Sequence, residues 1–117
     1  VTNRPTDETT ARVVAIKEAG EFKDHSRYGI LNPGKIMVDP PGGPMREYPD
    51  PRDDTDEAMK LLNWLMVNRI GSSCELVPQS NGTWWLTGDY DRFIPGSGEP
   101  FRFAVVALAA EVMETRT

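Results

Sequence analysis

The sequence predicts an α+β fold: a single domain with a small antiparallel sheet between helices, a three-layer helix/sheet/helix sandwich. Three stretches carry that expectation. They are a helical apolar repeat over Thr55–Ile70, two apolar runs joined by Asn81-Gly82, and an apolar, alanine-rich run behind Pro100. Helical periodicity and the Asn-Gly hairpin signal are patterns that local sequence reports well. At 117 residues, the chain suits one domain with one core.

Taken in order, residues 1–10 are polar and expected to fray. The next stretch, TTARVVAIKEAG, supports two readings: Ala11, Val14, Ala15 and Ala19 form a helical stripe, whereas Val13 to Ile16 also reads as a short buried strand. The helix is preferred, because Thr6 or Asp7 can cap it and Gly20 can end it. Residues 20–51 are rich in Gly and Pro and are expected to be irregular, apart from a short strand at KIMVD. Long loops inside compact domains are often functional, so this segment is a place to look for a binding surface.

In the helix from Thr55, one face carries Ala58, Leu61, Leu62, Leu65 and Met66. Met59, Trp64, Val67 and Ile70 widen the apolar sector, so cover on more than one side is expected, with Gly71 closing the helix. For the hairpin, a two-residue type I′ turn at Asn81-Gly82 predicts Gln79 opposite Trp84, Pro78 opposite Trp85, Val77 opposite Leu86 and Leu76 opposite Thr87. That register places Val77, Trp84 and Leu86 on one face and Cys74, Leu76, Pro78 and Trp85 on the other. Both faces are then apolar, which predicts a layer on each side. In the last helix, Pro100 suits the first turn, and Phe103 to Ala110 is apolar nearly all round, as in a buried helix.

Composition narrows the function classes. The formal charge of −5 disfavours direct binding to nucleic acid. A lone cysteine, Cys74, permits no internal disulfide, and no apolar run approaches the roughly 20 residues of a membrane span, so a cytoplasmic setting is expected. Asn81-Gly82-Thr83 matches a glycosylation acceptor, but Asn-Gly is better explained as a turn.

The acids Glu47, Asp50, Asp53, Asp54, Asp56 and Glu57 crowd the approach to the second helix. Calcium loops need alternating ligands, a glycine at the bend and a distal Glu, and this run lacks that spacing. Helix starting explains more: Asp53 or Asp54 caps, Asp54 with Glu57 has capping-box spacing, and the other acids favour the helix dipole. Neutralising Asp50, Asp53 and Glu57 while keeping Asp54 is therefore expected to leave folding nearly intact. GILNPGKI nearly matches a phosphate loop, but Ile36 stands where Ser or Thr is needed and Asp39-Pro40-Pro41 blocks a following helix, which favours a simple turn. Gly96 to Pro100 could present amides to an anion, although Glu99 already fills that electrostatic role. His25 is the sole histidine and Cys74 the sole cysteine, too few soft ligands for structural zinc. No cofactor or metal is implied.

No nucleophile elbow or other catalytic set occurs, so binding is favoured over catalysis. Candidate binding residues are the acids Glu47, Asp50, Asp53 and Glu57, the loop aromatics Tyr90 and Phe93, and a group around His25, Arg27 and Tyr28 that could line a ligand pocket. Trp84 and Trp85 are expected to fill cores on opposite sheet faces. Self-association stays open.

From Met45 to Met113 the chain resembles the phage ABA sandwich domain family of small phage and prophage proteins. The shared features are the approach REYPDP, the acidic start DDTDEA, the helix AMKLLNWLM, the tryptophan strand GTWWL and the proline-led PFRFAVVALAAEVM. The resemblance implies a three-layer fold, a phage origin and an accessory role. It implies no reaction and transfers no catalytic residues. The expected function is that of a phage accessory protein acting on a host or phage protein. The alternatives are a small-ligand-binding protein or modest enzyme, and an acidic mimic of nucleic acid.

Overall fold

The computed structural model describes residues 3–20, 27–31, 34–39, 44–71 and 74–114. The first helix, α1 (Asp7–Ala19), starts where the Thr6 side chain accepts from the Thr9 amide and ends at Gly20, whose φ of 84° lets its N–H reach the Ile16 carbonyl. Asp7 and Glu8 in the first turn suit the helix dipole. Residues 7–10 belong to this helix, and Arg4 ahead of the cap is tied to Asp53. Ala11, Val14 and Ala15 pack on one side of α1, against Ile36, Val38 and Tyr48, whereas Val13 joins the main core on the other. Burial on two sides explains why Val13 to Ile16 is unbroken by polar residues and resembles a strand.

Residues 20–51 hold more order than expected. They contain β1 (Arg27–Leu31), β2 (Lys35–Asp39) and β3 (Arg46–Pro49), an antiparallel sheet in the order β1-β2-β3. KIMVD is its central strand, with Ile36 and Val38 buried against α1. Each strand sends only a few side chains inward, too few for an alternation to stand out among the surrounding Gly and Pro. Pro49 sits at the end of an edge strand, where a missing N–H is tolerated. The phosphate-loop match dissolves here: Gly29 lies in β1 and Lys35 and Ile36 lie in β2, a hairpin and not a strand leading into a helix.

Helix α2 (Thr55–Leu65) is capped by Asp54, which accepts from the Glu57 amide, and continues as a wider π-helical turn, Met66–Ile70, closed by Gly71. Ala58, Leu61, Leu62, Leu65 and Ile70 enter the core. Met59 and Val67 do not: they stay 52% and 69% exposed, so the widened apolar sector is only partly covered.

The second sheet comprises β4 (Leu76–Pro78), β5 (Trp84–Leu86) and β6 (Arg92–Ile94), antiparallel in that order. Its register differs by one residue from the expected one. Pro78 faces Trp84, Val77 faces Trp85 and Leu76 faces Leu86. The Gly82 amide bonds to the Gln79 carbonyl and Gln79 N–H to Thr83 O, so Ser80, Asn81 and Gly82 form a three-residue loop. Gly82 takes φ 87°, and no described non-glycine residue has positive φ, which excludes a type I′ turn at Asn81. One residue of slip exchanges the faces. Leu76, Leu86 and Ile94 now point to the core, with Leu86 and Ile94 fully buried, whereas Val77, Trp85 and Phe93 point away.

Gly82→Val is expected to lower stability by about 1–2 kcal/mol through its left-handed backbone, seen as a lower Tm; an unchanged Tm would contradict this turn. Neighbouring Gly96 is constrained differently. A Cβ there would lie 1.9 Å from the Gly82 carbonyl oxygen, so the two backbones pass in direct contact.

Helix α3 (Gly98–Glu114) runs through the centre, against α1, α2 and β6. Phe101, Phe103, Val105, Val106, Leu108, Ala109, Val112 and Met113 are all buried, as the apolar run predicts. Among the described residues the strands form two small three-stranded antiparallel sheets, where the sequence led us to expect one. A radius of gyration of 14.1 Å, near the ~13 Å of a compact chain this long, makes it a single α+β domain. No described helix is long and apolar enough to cross a membrane.

Candidate functional site

The acidic run proves to be largely a structural knot. After β3 the chain turns at Asp50, whose N–H bonds to the Gly34 carbonyl and whose own carbonyl accepts from the Asp53 and Asp54 amides. The Asp50 carboxylate accepts from Arg52 N–H at 2.8 Å, from Arg52 Nε at 3.1 Å and from Arg52 Nη2 at 2.8 Å. Both side chains are buried. Arg52 Nη1 donates onward to the Pro5 carbonyl and to Asp7 at 2.7 Å, and the Arg52 carbonyl accepts from Arg102 Nε. Arg102 Nη1 also reaches Thr55 Oγ1. Two neighbouring residues, Asp50 and Arg52, therefore fasten the starts of all three helices. Burial alone would lower the Arg52 pKa, but its hydrogen bonds to Asp50 and Asp7, and their charges, raise it above the ordinary value.

The other acids have separate roles. Asp53 accepts two bonds from Arg4, at 3.0 and 3.2 Å, and that pairing holds its carboxyl below the ordinary range against the opposing effect of desolvation. Glu57 pairs with Lys60 on the α2 surface, and Glu47 is exposed on the outer side of β3. Asp50 is the correction: it is fully buried, so it cannot belong to a surface patch, and its neutralisation would not leave folding intact. Among the described residues, no group of three or more His, Cys, Asp or Glu converges as a metal site would require.

His25 lies outside the described residues. Arg27 pairs across the hairpin with Asp39 through bonds of 3.0 and 2.9 Å, and Tyr28 is 40% exposed on the edge strand. A cleft does form elsewhere, between α1, β3 and α2, lined by Val14, Lys17, Tyr48, Pro51 and Leu61. Its 10 Å³ is room for about one water. A shallow depression of about 270 Å³ near Gly34, Lys35, Pro49, Asp53 and Asp54 is open to solvent.

The outer face of the second sheet is the most distinctive surface. Val77, Trp85 and Phe93 are directly opposite one another across β4, β5 and β6, forming an apolar row. Trp85 is 38% exposed and Phe93 64%, with ring centroids 6.4 Å apart. Trp85 Nε1 donates to Asp91 Oδ1 at 2.6 Å, which fixes the indole on the face. Of the loop aromatics suggested by the sequence, Phe93 is on this surface and Tyr90 packs partly buried against the main core. The expectation that Trp84 and Trp85 both fill cores is overturned, since they are 36% and 38% exposed. The count of residues in the 80–82 loop decides which β4 side chain shares the Trp85 face, Val77 and not Leu76.

No protein-family model matches the chain, and no curated protein and no solved structure is significantly similar to it.

Proposed function

We propose that this chain is an accessory protein that works by binding another protein, with the outer face of β4–β6 as its contact surface. The observation that carries this reading is the Val77–Trp85–Phe93 row, in which Trp85 and Phe93 are exposed and Val77 is half-buried. Aromatic side chains dominate interface hot spots because they supply large contact area at little entropic cost. Solvent-facing aromatic rows of this kind also tend to mark interaction sites. The phage setting, with a host factor as target and action in the host cytoplasm, is supported by the sequence resemblance between Met45 and Met113. That support is from motifs alone, because the described strands form two small sheets and not the single one the resemblance implies.

The alternatives have less to stand on. A one-water cleft and an open depression offer little enclosure to a small ligand, for which pockets of about 300–1,000 Å³ are usual. A nucleic-acid mimic needs free negative charge along a surface, whereas Asp50 and Asp53 are committed to arginines.

The test is affinity capture from bacterial lysate with the wild-type chain and a Trp85→Ser/Phe93→Ser variant whose circular dichroism matches. The expected result is one stoichiometric protein recovered by the wild type and lost by the variant. Equal recovery by both would overturn the assigned surface. Recovery of a small molecule in place of a protein would overturn the protein-binding reading.

A further inference from the structure

We infer that the partner segment seated on this face is basic, with an arginine or lysine over Trp85 and Phe93 and its charge met by Glu75, Asp89 and Asp91. The inference rests on the outer face being the contact surface, as proposed above, and adds the chemistry of what covers it. Carrying the strand alternation one residue past β4 and β6 puts Glu75 on the side of Val77 and Asp91 on the side of Phe93, where Asp91 accepts from the Trp85 indole. Thr87 stands between them, with its N–H on the Glu75 carbonyl and its hydroxyl accepting from the Glu75 amide. An acidic row therefore runs beside the aromatic one, and Asp89 is exposed on the Gly88–Tyr90 turn that joins β5 to β6.

The one base in these strands is turned the other way. Arg92 is opposite Leu86 on the core side and pairs with Glu111 of α3 at 2.6 Å. The outer face thus combines electron-rich rings with carboxylates that no base of its own sheet neutralises. A cation over such rings is attracted by their quadrupole, most strongly for Trp. An apolar or acidic partner would have to strip water from Glu75 and Asp91 with nothing in exchange, which is unfavourable. A basic segment neutralises them, and the chain's charge of −5 would steer its approach. The bond from Trp85 to Asp91 holds the indole in place before binding, so less side-chain freedom is lost on contact.

The experiment is an NMR titration of the nitrogen-labelled chain with a hexa-arginine peptide and, separately, with a neutral hexa-citrulline peptide of the same shape. The expected result is a saturable shift of the Trp85 indole N–H and the Phe93 amide with hexa-arginine only. Glu75→Gln/Asp89→Asn should weaken that response about two- to fivefold, whereas Glu47→Gln/Asp56→Asn, which removes equal charge elsewhere, should leave it unchanged. Equal responses to both peptides, responses confined to α2, or none at all would overturn the basic partner. Failure here combined with loss of the captured protein in the Trp85/Phe93 variant overturns only the partner's chemistry. Failure here with capture unaffected by that variant overturns the contact surface as well.

Discussion

Arg52→Met is expected to destabilise the domain by about 3–5 kcal/mol, as removal of one member of a buried ion pair does. That is a large part of the roughly 5–15 kcal/mol typical of a whole domain. The loss arises because Asp50 is left fully buried without its counter-charge, while Asp7 and the Pro5 carbonyl lose a donor. Urea denaturation measures it. The companion variant Asp50→Ala/Arg52→Met removes both charges, so it should recover much of the loss, since an apolar replacement of a buried pair is often nearly neutral. A single variant costing under about 1 kcal/mol would mean that the pair is worth no more than a surface bridge.

The second large effect is Phe101→Ala, expected to cost about 3–5 kcal/mol by emptying a fully packed position. Phe101 is 2% exposed in the first turn of α3, at the meeting of the helices. Phe93, at 64% exposure, is its control: Phe93→Ala should change stability by no more than about 0.5 kcal/mol. The contrast separates a ring that holds the fold from one available to a partner. A large loss from Phe93→Ala would place that ring in the core and remove it from the contact surface.

Much of the helical framework was legible locally. Thr6 and Gly20 bound α1, Asp54 and Gly71 bound α2 with its π turn, and Pro100 marks the first turn of α3. These are short-range signals, decided within a few residues. The first sheet was harder, because its inward residues Ile36 and Val38 are held by α1, far away in the chain, and not by anything in their own Gly- and Pro-rich surroundings. The second sheet turned on one backbone angle. Asn-Gly pairs serve both two- and three-residue loops, and only the ordinary φ of Asn81 selects the longer loop, which puts Leu76 on the core side with Leu86 and Val77 on the outer side with Trp85. The acidic run was read correctly at Asp54, a local cap, and wrongly at Asp50, whose partner Arg52 is held by residues 45 and 50 positions away, in α1 and α3.

Helix α3 is last among the described elements in sequence and central in space. Every other helix needs its surface, and Arg102 on it also closes the knot around Arg52. On a ribosome, then, the elements before α3 emerge with their apolar faces unshielded and can settle only when α3 follows. While α3 is still unmade, the apolar surface that it will cover stays exposed, the condition under which partly folded chains aggregate.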